Sequence, residues 1–170
     1  LSRRIFTIKI KDLTSGKMLK DKIHGVSSFA AWAADSESFF YTSKDEETLR
    51  TDKIFRHEIG STQADDIMVF EEKDETFYTF VYPSKSREYI MIGSTSTMTS
   101  EYQFLPSNKP KDKFKFIQKR QRGLEYDVAH FEDMFYISTN AGNSTNFKLV
   151  KAPVTSPSKN YWIDVLPHRN

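Results

Sequence analysis

The feature that most constrains this chain is a repeat with a period just under fifty residues. Each repeat contains four short segments in which apolar and polar residues alternate, and turn-forming clusters of Gly, Pro, Ser, Asn and Asp separate these segments. Alternation with a period of two is typical of strands, and such clusters are typical of turns. Repeats of this length with four strands indicate the blades of a β-propeller.

Three groups of strands are complete, over residues 26–73, 74–122 and 123–170. The first group begins with strands near 29–33 and 38–43. Residues 1–25 contain two further strands, 5–10 and 18–23, which we interpret as the outer half of a preceding blade. The sequence therefore predicts a single all-β domain over residues 1–170, a propeller fragment of about three and a half four-stranded antiparallel blades. A β-sandwich with a similar number of strands is the alternative, and the internal period favours the propeller.

The cysteine content, the net charge and the length of the apolar runs limit the classes of function that we expect. The chain has no cysteine, which excludes disulfides and thiolate metal sites and indicates a reducing, cytoplasmic setting. Twenty-five basic and 23 acidic residues give a net charge of only +2, unlike the single-sign surfaces of nucleic-acid or membrane binders. No apolar run is long enough to span a bilayer. We expect no nucleic-acid partner and no membrane partner.

The open row of blades has a consequence for assembly. Three and a half blades cannot close into a ring, so apolar faces and sheet edges are left to be covered. Because the first residue is Leu1 rather than Met, we expect the chain to belong to a longer polypeptide. The chain on its own is expected to self-associate.

A search for catalytic chemistry finds no candidate. The Gly-x-Ser-x-Gly turn of serine hydrolases is absent, and no two of the four histidines have the helical spacing of a metalloprotease. His57 lies between Arg56 and Glu58 in an alternating segment, which predicts a surface residue. We therefore predict no catalytic residue, no metal site and no cofactor.

Three charged or polar runs are predicted to have structural rather than catalytic roles. The acidic run 71–75 is predicted to be a solvated turn between blades, with a docking surface as the alternative. The basic run 119–122 is predicted to protect an outer strand edge from pairing. Residues 143–145 match a glycosylation sequon and are predicted to form a turn.

Five stretches of the sequence resemble the N-terminal propeller of the oligopeptidase B (protease II) group in the prolyl oligopeptidase family of serine peptidases. They include an Arg-His-x-x-Gly strand end and a Glu-Glu-Lys-Asp-Glu turn, in the order and spacing of that family. The resemblance extends over nearly the whole chain, and the five stretches are 29–36, 39–42, 54–61, 70–78 and 99–105.

The resemblance implies a seven-bladed propeller that caps a C-terminal α/β-hydrolase domain, whose Ser-Asp-His triad cleaves short peptides after Lys or Arg. None of that triad lies in this chain. The implied role is non-catalytic: the propeller gates substrate access and docks on the hydrolase domain of its own full-length protein. A stand-alone half-propeller that binds a protein partner is the alternative, since fold alone does not assign function.

The resemblance also implies which loops face the hydrolase domain. Thr79 and Met98 align with positions where relatives place side chains near the substrate. Ser27 stands where such sequences often have a glutamate for an inter-domain salt bridge, so the resemblance does not support a bridge there. The loops are 25–29, 44–50, 74–78, 94–99, 123–125 and 141–145, and the candidate residues are Ser27, Asp74, Glu75, Thr79, Thr95, Thr97, Met98 and Asn143.

Overall fold

The computed structural model describes residues 4–168, in which almost all regular structure is β-strand. Two short 3-10 turns, Gln63–Asp65 and Lys159–Tyr161, accompany the strands. The strands are β1 Phe6–Lys11, β2 Met18–Trp32, β3 Ser38–Ser43, β4 Lys53–Glu58, β5 Ile67–Glu71, β6 Tyr78–Pro83, β7 Tyr89–Thr95, β8 Ser100–Pro106, β9 Lys115–Gln118, β10 Tyr126–Phe131, β11 Met134–Thr139, β12 Lys148–Pro153 and β13 Ile163–Leu166.

The strands form three antiparallel sheets in sequence order, β1 to β5, β6 to β9 and β10 to β13. We call the pair formed by β1 and the first half of β2 the hairpin. The first blade is the second half of β2 with β3 to β5, the second blade is β6 to β9, and the third is β10 to β13. The predicted all-β propeller fragment is confirmed. The residue limits assigned to each blade stay predictions.

Strand β2 differs from the sequence prediction, which placed separate strands near residues 18–23 and 29–33. The structure has one extended segment from Met18 to Trp32. Its pairing partner changes from β1 to β3 at Val26, where the register is interrupted. Gly25 allows this change because its φ of +69° is readily adopted only without a Cβ.

Three apolar cores lie between neighbouring units. The hairpin packs on the first blade through residues such as Ile23 and Phe39. The first and second blades pack together around Phe40 and Ile90. The second and third blades pack together around Phe104. Strands of the second blade are therefore apolar on both faces, because each face is buried against a neighbour.

Apolar side chains are exposed on the last strand of the third blade. In β13, Ile163 is 60% exposed and Leu166 is 56% exposed. These side chains face no further sheet in the described part of the chain. Among residues 4–168 there is no helix of the length and apolarity needed to cross a membrane.

Candidate functional site

Five of the six predicted loops lie in or beside connections at one end of the three sheets, whereas residues 25–29, also predicted as a loop, belong to strand β2. In an antiparallel sheet, alternate connections lie at the same end. Backbone hydrogen bonds join neighbouring blades at this end: Thr79 N–H donates to Thr51 O at 2.8 Å, and Ser100 N–H donates to Leu124 O at 2.9 Å. We call this end the candidate end. Its connections are 44–52, 72–77, 96–99, 119–125 and 140–147.

A cleft of about 570 Å³ opens at the candidate end between the loops of the second blade. It brings together three of the predicted residues, Asp74, Thr97 and Met98. Met98 is 63% exposed, so its thioether is available for contact with a ligand or a partner. The other lining residues are Thr76, Phe77, Ser96, Thr99, Arg120 and Arg122.

An ion network forms one wall of the cleft. The Arg120 guanidinium lies 2.5 Å from Glu72 Oε2 and 2.9 Å from Glu101 Oε1, and it stacks 4.0 Å above the Phe77 ring. Burial alone would lower the pKa of Arg120, but the hydrogen bonds with the two glutamates outweigh burial and hold that pKa above its ordinary value. The Arg120 side chain is therefore held in place by these contacts, and the two glutamates compensate its charge.

Asp74 is held in a local turn at the mouth of the cleft. Its Oδ1 accepts hydrogen bonds from Thr76 Oγ1 at 2.7 Å and from Thr76 N–H at 3.0 Å. These bonds keep the pKa of the Asp74 carboxyl below its ordinary value. The carboxylate is therefore ionised at neutral pH, and the same lining also carries the exposed guanidinium of Arg122.

Thr79 and Ser27 lie below the surface. Thr79 is fully buried, and its hydroxyl donates to Gly93 O at 3.0 Å. Ser27 is 8% exposed, and its Oγ accepts a hydrogen bond from Phe29 N–H at 3.2 Å. Both hydroxyls are used within the fold, so neither lines the cleft.

The remaining candidates lie at the candidate end but outside the cleft lining. Glu75 is exposed, and Thr95 is half-buried at the end of β7, where it pairs with Tyr78. Asn143 is exposed in the loop between β11 and β12, with a φ of +60°. The sequon that begins at Asn143 lies in a turn.

The lining of the cleft offers several kinds of contact. Hydroxyl groups, one carboxylate, one thioether, one phenyl ring and two guanidinium groups line it, and no histidine does. Polar groups of this kind beside apolar ones are typical of a binding site. Within residues 4–168, no group of three or more His, Asp or Glu side chains is arranged to hold a metal ion.

Residues 2–170 match the family model described as the prolyl oligopeptidase, N-terminal beta-propeller domain. This chain belongs to that propeller family. Two curated relatives are each 36% identical to it. Dipeptidyl aminopeptidase BI of Pseudoxanthomonas mexicana matches 99% of this chain and 23% of its own length. Protease 2 of Moraxella lacunata matches 90% of this chain and 22% of its own length.

Solved structures of the same family have the same fold. Oligopeptidase B from Leishmania major superposes with a TM-score of 0.92 at 31% identity, over 98% of this chain and 23% of that one. Oligopeptidase B from Trypanosoma brucei, solved in a closed form with covalently bound antipain, gives 0.87 at 26% identity, over 99% of this chain and 23% of that one. The chain thus spans about a quarter of the length of the relatives it matches.

His57 corrects a sequence prediction for this propeller. It was predicted at the surface but is fully buried, with Nδ1 2.6 Å from Asp66 Oδ1 and Nε2 3.1 Å from Asp21 Oδ1. The prediction was wrong because β4 has neighbours on both faces: the hairpin covers the side on which His57 lies. Alternation alone cannot identify a strand that is buried on both sides.

The two charged runs also need correction. Glu72 was predicted in a solvated turn but is 4% exposed, and Arg120 was predicted to protect a strand edge but bonds to Glu72. Strand β9 ends at Gln118, so the basic run lies in the connection to the next blade. Glu72 follows the first blade and Arg120 follows the second, so their ion pair joins these two blades. Neither charged run predicts this contact by itself, because each contains only one of the two partners.

One serine and histidine pair lies outside the candidate end. Ser86 Oγ is 2.8 Å from His130 Nδ1, in the turn between β6 and β7. Ser86 Oγ also contacts Ser84 Oγ at 2.8 Å and accepts a hydrogen bond from Glu88 N–H. His130 Nε2 is buried and has no partner among the described residues, so the carboxylate that orients the histidine of a hydrolase triad is missing. The pair links the turn between β6 and β7 to strand β10 of the third blade.

Proposed function

We propose that this chain is the non-catalytic propeller part of a cytoplasmic serine oligopeptidase that cleaves short peptides after Lys or Arg. In this role it docks on an α/β-hydrolase domain of its own full-length protein and limits which substrates reach the active site. The observation that carries the proposal is the match of residues 2–170 to the propeller of prolyl oligopeptidases, together with 31–36% identity to oligopeptidase B and Protease 2.

The geometry of the candidate end supports docking and gating. Loops from neighbouring blades meet there, and the cleft presents an exposed Met98 beside the ionised Asp74. Within this lining, which also carries the exposed Arg122, the Asp74 carboxylate attracts the charge of a basic peptide and the Met98 thioether packs on its methylene groups. The ion network of Arg120, Glu72 and Glu101 holds this wall of the cleft in place.

Cleavage by the full-length protein from its natural open reading frame tests the specificity. Chromogenic peptides that differ only in Arg, Lys or Pro before the scissile bond are compared, and we expect turnover of the Arg and Lys peptides alone. Cleavage after Pro, or release of dipeptides only from the amino terminus, would reject the proposed specificity. No peptide cleavage at all would favour a stand-alone binding module.

A charge placed in the cleft tests gating separately. Met98→Lys in the full-length protein should reduce kcat/KM for an Arg peptide roughly fivefold, because like charges repel at the cleft. Leu13→Lys is the matched control, since Leu13 is 89% exposed in the turn after β1. Equal values for both variants would show that basic peptides do not pass the cleft.

A further inference from the structure

One face of the hairpin is strongly basic. Residues 5–24 contain five lysines and two aspartates, a net charge of +3 against +2 for the whole chain. Four of the lysines are exposed on the same face of β1 and β2, and we call this set the lysine face. Its members are Lys9, Lys11, Lys20 and Lys22.

The lysine face is unfavourable for the hairpin itself. Lys9 and Lys22 are directly opposite each other in the strand pairing. Like charges directly opposite in an antiparallel pair are destabilising. No lysine of the face forms an ion pair with any residue in the range 4–168. No acidic side chain of the described residues offsets the repulsion between these lysines, which indicates that a partner outside them supplies the opposite charge.

The opposite face of the hairpin is already occupied. Ile10 and Ile23 are buried against the first blade, and Asp21 reaches across to His57. The hairpin therefore has one face in contact with a blade and one face open. The covered face carries mainly apolar residues together with Asp21, whereas the open face carries the four lysines together with the exposed Met18.

Each of the three contacts between neighbouring units contains a carboxylate of one unit bonded to a donor of the next. Asp21 of the hairpin bonds to His57, and Glu72 after the first blade bonds to Arg120 after the second. Tyr102 of the second blade donates to Asp127 of the third at 2.6 Å. Carboxylates are thus the recurring acceptor where these units meet.

We propose that the lysine face is a fourth contact of this kind, and that its partner is a carboxylate-bearing sheet face of a preceding blade in the same polypeptide. Lysines at alternate positions of one strand are spaced about 6.7 Å apart, which matches Asp or Glu at alternate positions of a facing strand. The contact differs from the other three because this side supplies cations only.

Lysine acetylation of the full-length protein, read by mass spectrometry, tests the contact. Lys9 and Lys22 should react roughly tenfold more slowly than Lys17 and Lys85, because a paired ammonium must first leave its carboxylate. Lys17 and Lys85 are exposed lysines in turns and serve as internal controls. Equal rates at all four lysines would overturn the proposal, because the lysine face would then be open to solvent.

Two double variants identify the chemistry of the partner. Lys9→Glu with Lys22→Glu should lower the Tm more than Lys9→Met with Lys22→Met, and both should lower it relative to wild type and to Lys17→Glu. A higher Tm for the double Met variant would overturn the proposal in favour of an apolar partner face. Heparin retention that is lost in the double Glu variant would overturn it in favour of an external polyanion.

Discussion

Nδ1 of His57 lies 2.6 Å from Oδ1 of Asp66, in a site that solvent does not reach. The second ring nitrogen faces Asp21, and Asp66 also accepts a hydrogen bond from the Tyr41 hydroxyl at 2.7 Å. Each ring nitrogen lies within hydrogen-bond distance of a carboxylate oxygen, so His57 bridges Asp21 and Asp66. The cluster joins the hairpin to strands β3, β4 and β5 at the edge of the described blades.

Replacement of His57 should be among the more damaging single changes. His57→Gln cannot bridge both buried carboxylates as the imidazole ring does, and it should reduce the free energy of unfolding by about 3 kcal/mol. Tryptophan fluorescence during urea denaturation measures the loss. His24→Gln is the control, since His24 is exposed, and it should change stability by less than about 0.5 kcal/mol. Equal effects would show that the buried cluster contributes nothing.

Acid should weaken the same cluster through Asp21. Burial acts to raise the pKa of Asp21, but hydrogen bonds from Gly60 N–H and His57 outweigh it and keep the pKa below 3.8. Because the folded pKa lies below the unfolded one, the contribution of Asp21 is complete above about pH 4 and is lost as the pH falls through the folded value.

The denaturation midpoint measured between about pH 5 and pH 3 checks this sign. Wild type should lose more stability over this interval than Asp21→Asn, which has no carboxyl to protonate. Glu75→Gln serves as the control, because Glu75 is exposed and should follow the wild-type curve. An Asp21→Asn curve parallel to wild type would contradict the assignment.

Arg120 should not tolerate lysine. Its guanidinium bonds to two glutamates and stacks on Phe77, which a single ammonium cannot reproduce. Arg120→Lys should cost about 2 kcal/mol, measured by denaturation, because Glu72 is buried and loses a bond. The neighbouring, exposed Arg122→Lys should cost less than about 0.5 kcal/mol. Identical stabilities would mean that charge alone matters at Arg120.

Gly93 should not tolerate a side chain. A Cβ at this position would lie 2.4 Å from Cζ of Phe80 and 2.9 Å from Cε1 of Tyr102. Gly93→Ala should therefore cost about 1–3 kcal/mol, and Phe80→Leu in the same chain should recover part of the loss. Gly123→Ala is the control: its cost comes from a φ of +80°, so Phe80→Leu should not relieve it.

Strands are predicted well where apolar–polar alternation and the flanking turns agree. The burial of a side chain is predicted poorly where its partner is far away in the sequence. Strand β3 has the predicted bounds, Ser38–Ser43, because its residues and flanking turns agree. His57 and Glu72 were placed at the surface because their partners, Asp21 and Arg120, are 36 and 48 residues away in sequence. No local pattern contains such a pair.

The lining of the cleft was predicted in part. Asp74, Thr97 and Met98 lie in loops that the family resemblance implies, and the structure brings these three residues together. Arg120 and Phe77 were missed, because their contribution depends on stacking and on the ion network across the blades. The side chains of Thr79 and Ser27 point into the fold, which loop position alone does not reveal.

We propose that this chain is the non-catalytic propeller of a peptidase. Hydrolysis of one Arg chromogenic peptide by the full-length protein and by residues 1–170 alone, at equal molar concentration, tests it most directly. We predict turnover by the full-length protein that a serine-hydrolase inhibitor abolishes, and none by residues 1–170. Turnover by residues 1–170 that survives the inhibitor, or none by the full-length protein, would contradict the claim.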